Sequence, residues 1–303
     1  AWLIYGRTDF SDVDYTKLSE KGQGFTITGT PGTTNFSAVY ANKKYDGEYT
    51  SDIVVLNPEG DHSVAYLLPA GRRGDIDLNK PEHYTTNQKL YSPTGMFFDS
   101  IQPVGNVNRS GYTDYVFTAS DANGKHGKAW LVTEIRSHIN LDSDFREIAE
   151  INLEENTYLG KATTAANAGD VNGDGYDDTL IGFNGGVALL YGGHSTYTIN
   201  SANQTDPNVA VLTGAGSGWS VASYAREGKP NLVAVGAPYA GDGEVYYFPA
   251  TAFTAGSHPI SGLGDQVTTI KAKQQGTRFG ISVAFSGAWP TEPPLLVDGD
   301  DHA

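Results

Sequence analysis

Ten consecutive residues, Gly169-Asp170-Val171-Asn172-Gly173-Asp174-Gly175-Tyr176-Asp177-Asp178, place oxygen donors on alternate positions of a tight turn. Hard oxygen ligands so spaced are the chemistry of a calcium site. The expected ligands are the side chains of Asp170, Asn172 and Asp174, the backbone carbonyl of Tyr176 and the carboxylate of Asp178, with Gly175 permitting the bend. An EF-hand is excluded, because its loop needs a bidentate Glu at the twelfth position and this loop has Ile181 there, inside an apolar run. The loop is therefore expected to join two strands. The alternative is an Asp/Asn/Gly turn held by its own hydrogen bonds with no ion.

Other chemistry is sparse. The histidines at 62, 83, 126, 138, 194, 258 and 302 show no HxH or HExxH spacing, and no cysteine joins them, so zinc is not expected. No G-x-S-x-G elbow is present, and Gly214-Ala215-Gly216-Ser217-Gly218 leads into a strand, where a phosphate loop would lead into a helix. Carboxylate pairs such as Asp298 and Asp300 are what so acidic a chain supplies by chance. No catalytic residue is assigned. Arg73-Gly74-Asp75 spells an adhesion tripeptide, again at a frequency that chance explains.

The elements that must position the loop are strands. The 303 residues are 39% hydrophobic with 37 Gly, 18 Tyr and one Met, and short Val/Ile/Leu/Tyr runs are broken by Gly, Asn, Asp and Pro. Only the segment 142–157 reads as a possible helical turn. A net charge of -15 argues against nucleic acid, whose binding rests on clustered Lys and Arg. No stretch suits insertion into a membrane, and no signal peptide is evident. Zero cysteines remove disulfides and thiolate chemistry.

Strands of one kind recur: Ala1-Trp2-Leu3-Ile4-Tyr5, Val64 to Leu68, Ala129 to Thr133, Val187 to Tyr191 and Glu244 to Phe248. Taking Trp2, Ala65, Trp130, Ala188 and Val245 as equivalent, the interval is about 60 residues, the length of a propeller blade. A second strand precedes each of the last four, at Asp52 to Leu56, Asp114 to Phe117, Asp178 to Ile181 and Asn231 to Val235. A fifth copy, Pro294-Leu295-Leu296-Val297-Asp298, has no partner after it, and the first strand of the chain has none before it. The expected fold is all-β: one domain over residues 1–303, a β-propeller of four-stranded blades, five in number and closed by the N-terminal strand. An excised part of a longer, seven-bladed propeller is the alternative. Trp2 and Trp130, at equivalent positions, are expected to be packing residues, as are Trp219 and Phe279.

With Phe279-Gly280 early in one repeat, Gly236-Ala237-Pro238 late in another and the Asp170 loop between strands of a third, the chain resembles the FG-GAP repeat family. That family includes the propellers of integrin α subunits, which have seven blades. The resemblance implies four-stranded blades, calcium held in hairpin loops and a role in recognition or adhesion. Gly105-Asn106-Val107-Asn108-Arg109-Ser110-Gly111-Tyr112-Thr113-Asp114 aligns without a gap on the Asp170 loop, so a weaker second site would use Asn106, Asn108, Ser110 and Asp114. Only one of those side chains is charged and Arg109 adds a positive charge, so a metal-free turn is expected. Asn42, Asp46 and Gly47 echo the motif, with no ion expected beside Lys43 and Lys44.

These readings converge on a non-enzymatic module, extracellular or displayed at the cell surface, with Ca2+ as cofactor and a glycan or protein as partner. A polysaccharide hydrolase or lyase with a carboxylate in the channel, and a spacer domain of a larger surface protein, are the competing expectations.

Overall fold

The computed structural model describes residues 2–5, 12–29, 37–40, 53–68, 74–80, 89–121, 128–133, 138–143, 148–153, 165–226, 229–285 and 296–299. Over these residues the protein is all-β, its only helices being 3-10 segments at Ala250–Ala252 and Ile260–Gln266. Two compact units are present, Ala1–Phe98 with Ile135–Asp144, and Asp99–Glu134 with Phe145–Ala303.

The first unit holds two sheets. One has β1 (Trp2–Ile4) antiparallel to β2 (Gly24–Thr28), and β6 (Ile76–Asp77) parallel to β2. The other is a meander of β3 (Ser37–Tyr40), β4 (Ile53–Glu59), β5 (His62–Leu68) and β7 (Lys89–Tyr91), with β11 (Ile139–Asn140) added parallel to β7. Phe25, Ile27 and Ile76 of the first sheet share one core with Ile53, Val55, Val64 and Tyr66 of the second.

In the second unit three further meanders follow one pattern. β8 (Met96–Gly105), β9 (Asp114–Asp121), β10 (Lys128–Val132) and β12 (Ile148–Leu153) form one sheet, extended by β16 (Thr196–Ile199). Next come β13 (Ala165–Gly169), β14 (Asp178–Phe183), β15 (Gly186–Leu190) and β17 (Val209–Thr213), extended by β21 (Gly256–Pro259). Then follow β18 (Ser220–Arg226), β19 (Lys229–Ala237), β20 (Glu244–Pro249) and β22 (Thr268–Lys271), and last the pair β23 (Ser282–Phe285) and β24 (Leu296–Gly299).

Strand composition explains why these sheets stack. Alternate residues of a strand face opposite sides, and in β14 and β15 both sides are apolar: Ile181, Ala188 and Leu190 face a core shared with Val116 and Leu131, while Leu180, Val187 and Leu189 face one shared with Val233, Val235 and Phe248. A third core joins Ala234 and Val245 to Val283 of β23. Within each unit, consecutive sheets thus pack face to face, in chain order.

A connection rule that periodicity did not reveal runs through both units. β6, β11, β16 and β21 each lie between the third and fourth strands of a meander, and each pairs parallel with the last antiparallel strand of the preceding sheet, β2, β7, β12 and β17 respectively. The added strand covers an edge whose N–H and C=O groups would otherwise lack partners.

In the segment 142–157 the described residues are the end of a turn, 142–143, and β12, in which Ala149, Ile151 and Leu153 turn inward with Asn152 outward, the period of a strand, and the rest of the segment lies outside the described residues. One expectation needs correction. Trp130 is buried at 7% exposure, but Trp2 is 62% exposed, meeting only the edge of Tyr15 at 5.7 Å among the ring contacts of the described residues. Equal strand position did not give equal burial, because β10 is an inner strand of a five-stranded sheet and β1 ends a three-stranded one. Trp219 and Phe279 are half-buried. The hairpins joining each pair of recurring strands are as expected for β4–β5, β9–β10, β14–β15 and β19–β20.

Candidate metal loop

Residues 170–177 join β13 to β14. The turn is fixed by its own acidic side chains. Asp170 accepts the N–H of Gly173 (2.7 Å) and Asp174 (3.0 Å) on Oδ1 and that of Gly175 (2.8 Å) on Oδ2. Asn172 Oδ1 accepts from Asp174 N, Asp174 Oδ1 accepts from Tyr176 N, and the Asn172 amide donates to Asp174 Oδ2 at 2.8 Å. Gly173 and Gly175 take φ of 80° and 87°, where a side chain would be strained.

Asp178 is different in kind. Fully buried at the head of β14, it accepts Val171 N–H on Oδ2 (2.8 Å) and Gly192 N–H on Oδ1 (2.9 Å). Burial first, and then the charges of Asp174 and Asp170, push its carboxyl up to about 6. Burial also raises Asp174, but the Tyr176 N–H, the Asn172 amide and the Arg109 charge outweigh it and hold that group below the ordinary carboxylate range.

The run 105–114 takes the same backbone course as 169–178. Its first, fifth and seventh residues, Gly105, Arg109 and Gly111, have φ of 90°, 59° and 87°, against 71°, 80° and 87° for Gly169, Gly173 and Gly175. Asp114 Oδ2 accepts Val107 N–H at 2.7 Å, as Asp178 does from Val171, and Asn108 Oδ1 accepts Ser110 N–H at 2.9 Å. Arg109 is the odd member, an arginine in a left-handed conformation. It reaches into the neighbouring loop, where Nε donates to Gly175 O at 2.9 Å and the guanidinium lies 4.1 Å from the centre of the Tyr176 ring. Asn106 N donates to Asp177 Oδ2 (2.8 Å), Asp177 N to Asn106 O (3.2 Å) and Gly193 N to Val107 O (2.7 Å). The two loops are therefore docked together. Sequence reading missed Asp177 and the reach of Arg109, and no local signal marks either.

Could the Asp170 loop hold calcium? Three carboxylates, one amide oxygen and one backbone carbonyl are oxygen donors of the right type, and an oxygen engaged by one N–H keeps a lone pair. Asp178 is buried and is repelled by the exposed Asp174 and Asp170, and the side chains whose positive charge acts on Asp174 are Arg109 and His194. On the chemistry of its donors the loop fits a calcium ion, although among the described residues no three acidic or histidine side chains close on one point. The Asn106 loop, with Asn108 and Ser110 committed to local bonds and Asp114 its only carboxylate, fits less well.

Asp75 is tied down. Its Oδ1 accepts from Thr26 N (2.8 Å), Thr26 Oγ1 (2.9 Å) and Ser19 Oγ (2.7 Å). The expectations for Asn42, Asp46, Gly47, Arg73 and Asp300 fall outside the described residues. No protein-family model matches the chain, and no curated protein matches it.

Proposed function

We propose that this chain is a non-enzymatic recognition module of FG-GAP type, a propeller whose blades are the stacked meanders, stiffened by Ca2+ and acting outside the cell or at its surface. The observation that carries the reading is the docked pair of loops with one backbone course, 105–114 against 169–178. Serial stacking of the sheets and the repeated parallel capping strands support the propeller. Closure would bring β1 beside β24, whose hydrogen-bonded neighbours are otherwise β2 and β23.

Asp170, Asn172, Asp174, the Tyr176 carbonyl and Asp178 would hold the ion, which when bound supplies positive charge to an exposed acidic turn that ends in the buried Asp178. The chain's own part is to preorganise that turn: Asp170 gathers three N–H groups, and Arg109 fixes the Gly175 carbonyl and the Tyr176 ring. A partner, glycan or protein, is engaged elsewhere on the surface.

The test is a thermal melt of chelated protein with and without millimolar calcium, repeated on Asp174→Ala. Calcium at about 100 times its Kd adds about 2.7 kcal/mol to the native state, a rise of several degrees that the variant loses. A melt that calcium leaves unmoved sinks the metal reading.

A further inference from the structure

An open groove with a cavity volume of about 600 Å3 lies where the chain leaves β20, caps β17 with β21 and returns as β22. Its lining includes the apolar Pro259 and Val267, with Ile260 buried beneath, and the polar Glu244, Tyr246, Lys271 and Ser261. The size suits a small ligand or a few units of a longer chain.

Its polar wall departs from what the fold asks for. On the register that makes Ala65, Trp130, Ala188 and Val245 equivalent, Glu244 stands where β5, β10 and β15 carry Val64, Ala129 and Val187, none more than 3% exposed. Packing is satisfied there by apolar residues, so a carboxylate at this place needs another reason. Glu244 is held in position from both sides. Lys271 Nζ lies 2.7 Å from Oε1, and the Tyr246 hydroxyl donates to Oε2 at 2.9 Å. Tyr246 is pushed up to about 12 by burial and by that bond to Glu244, so its hydroxyl keeps its proton.

The charges of Glu244 and Lys271 cancel, which removes the field that would select an anion or a cation. What remains is an acceptor and a donor side by side in a groove that also has apolar lining, the complement of vicinal hydroxyls on a sugar ring whose C–H face is apolar. We infer that this groove binds a neutral saccharide, with adjacent hydroxyls donating to Glu244 and accepting from Lys271, and the ring lying against Pro259 and Val267. The inference deepens the recognition reading by giving it a ligand class and a site, and it stands apart from the calcium loop.

Saturation-transfer NMR on the full chain, with methyl glucoside, methyl galactoside, methyl mannoside, cellobiose and lactose at about 20 mM, tests it in the weak range. Transfer to at least one of these is expected, weakened at least about tenfold in Glu244→Gln and in Lys271→Met, the cost of a hydrogen bond to a charged group. Lys271 is 67% exposed, so its replacement leaves the fold intact, and the melt of each variant verifies this. Absence of transfer from all five overturns the proposal, as does transfer indifferent to both substitutions, or stronger binding of glucuronic acid or glucosamine than of glucose. Running the series with and without chelator beside the calcium melt separates the two ideas. A lost calcium shift with sugar binding kept sinks the metal loop alone, and the reverse sinks the groove alone.

Discussion

Individual side chains in this protein do most of their work by fixing backbone. Asp75 holds Thr26 and Ser19, and the Thr26 N–H followed by the Ser19 hydroxyl keeps its carboxyl below the ordinary value of 3.8. A depressed folded pKa stabilises the fold above the unfolded value and loses that effect as pH falls through the folded one. Asp75→Asn should therefore lower the melting temperature by roughly 2–4 °C at pH 7, with the gap to wild type closing in the acid range below the unfolded carboxyl's value. A gap that persists unchanged at low pH would show that charge is not the cause. Arg109 offers a second case. Alanine there keeps the left-handed conformation and loses the bond to Gly175 O and the contact with Tyr176, a cost of about 2 kcal/mol. Glycine loses the same contacts but takes φ of 59° without strain, so Arg109→Gly should be about 1 kcal/mol less damaging than Arg109→Ala in urea unfolding. Equal losses would remove strain from the account. The ligand-type residues of both loops were legible, because alternate oxygens with Gly between them leave a local mark. That Arg109 belongs to the neighbouring loop was not, since its partner is 66 residues away.

At the level of elements, the strands are readable and their neighbours are not. Short apolar runs located the hairpins because a strand between two cores must be apolar on both faces, as Leu180 and Ile181 are. In the segment 142–157 the strand β12 was hard to read because its period of two is carried only by Ala149, Ile151 and Leu153, among acidic residues. The capping strands β6 and β11 have two residues each, too short for any pattern, and their pairing is set by where the preceding sheet ends. Some contacts between sheets depend on a missing side chain. Gly218, at φ of 81°, passes so close to the carbonyl oxygens of Gly186 and Phe183 that a Cβ has no room. Gly218→Ala should cost more than about 3 kcal/mol, the range reserved for backbone displacement in a core. Calorimetry would read it, and a loss under about 1 kcal/mol would mean the turn yields easily.

For the molecule as a whole, the question is whether the sheets close. A linear stack of sheets ends in two exposed faces, whereas a ring buries both, and sequence period alone cannot distinguish the two because both repeat one meander. β24 pairs with β23 on one side, and on the equivalence of the recurring strands its other neighbour should be a strand of the kind found at Trp2–Ile4. If β1 fills that place, its removal acts at the far end of the chain. Deleting residues 1–5 should then speed hydrogen exchange at the amides of Leu296–Gly299 by at least about a hundredfold, the change expected when a paired strand becomes a fraying edge. Amides of β14, which keep β13 and β15 as partners in either arrangement, should exchange as before and serve as the internal reference. Unchanged protection at β24 would mean that β1 does not complete that sheet, and a seven-bladed parent would then be the better account of the same period.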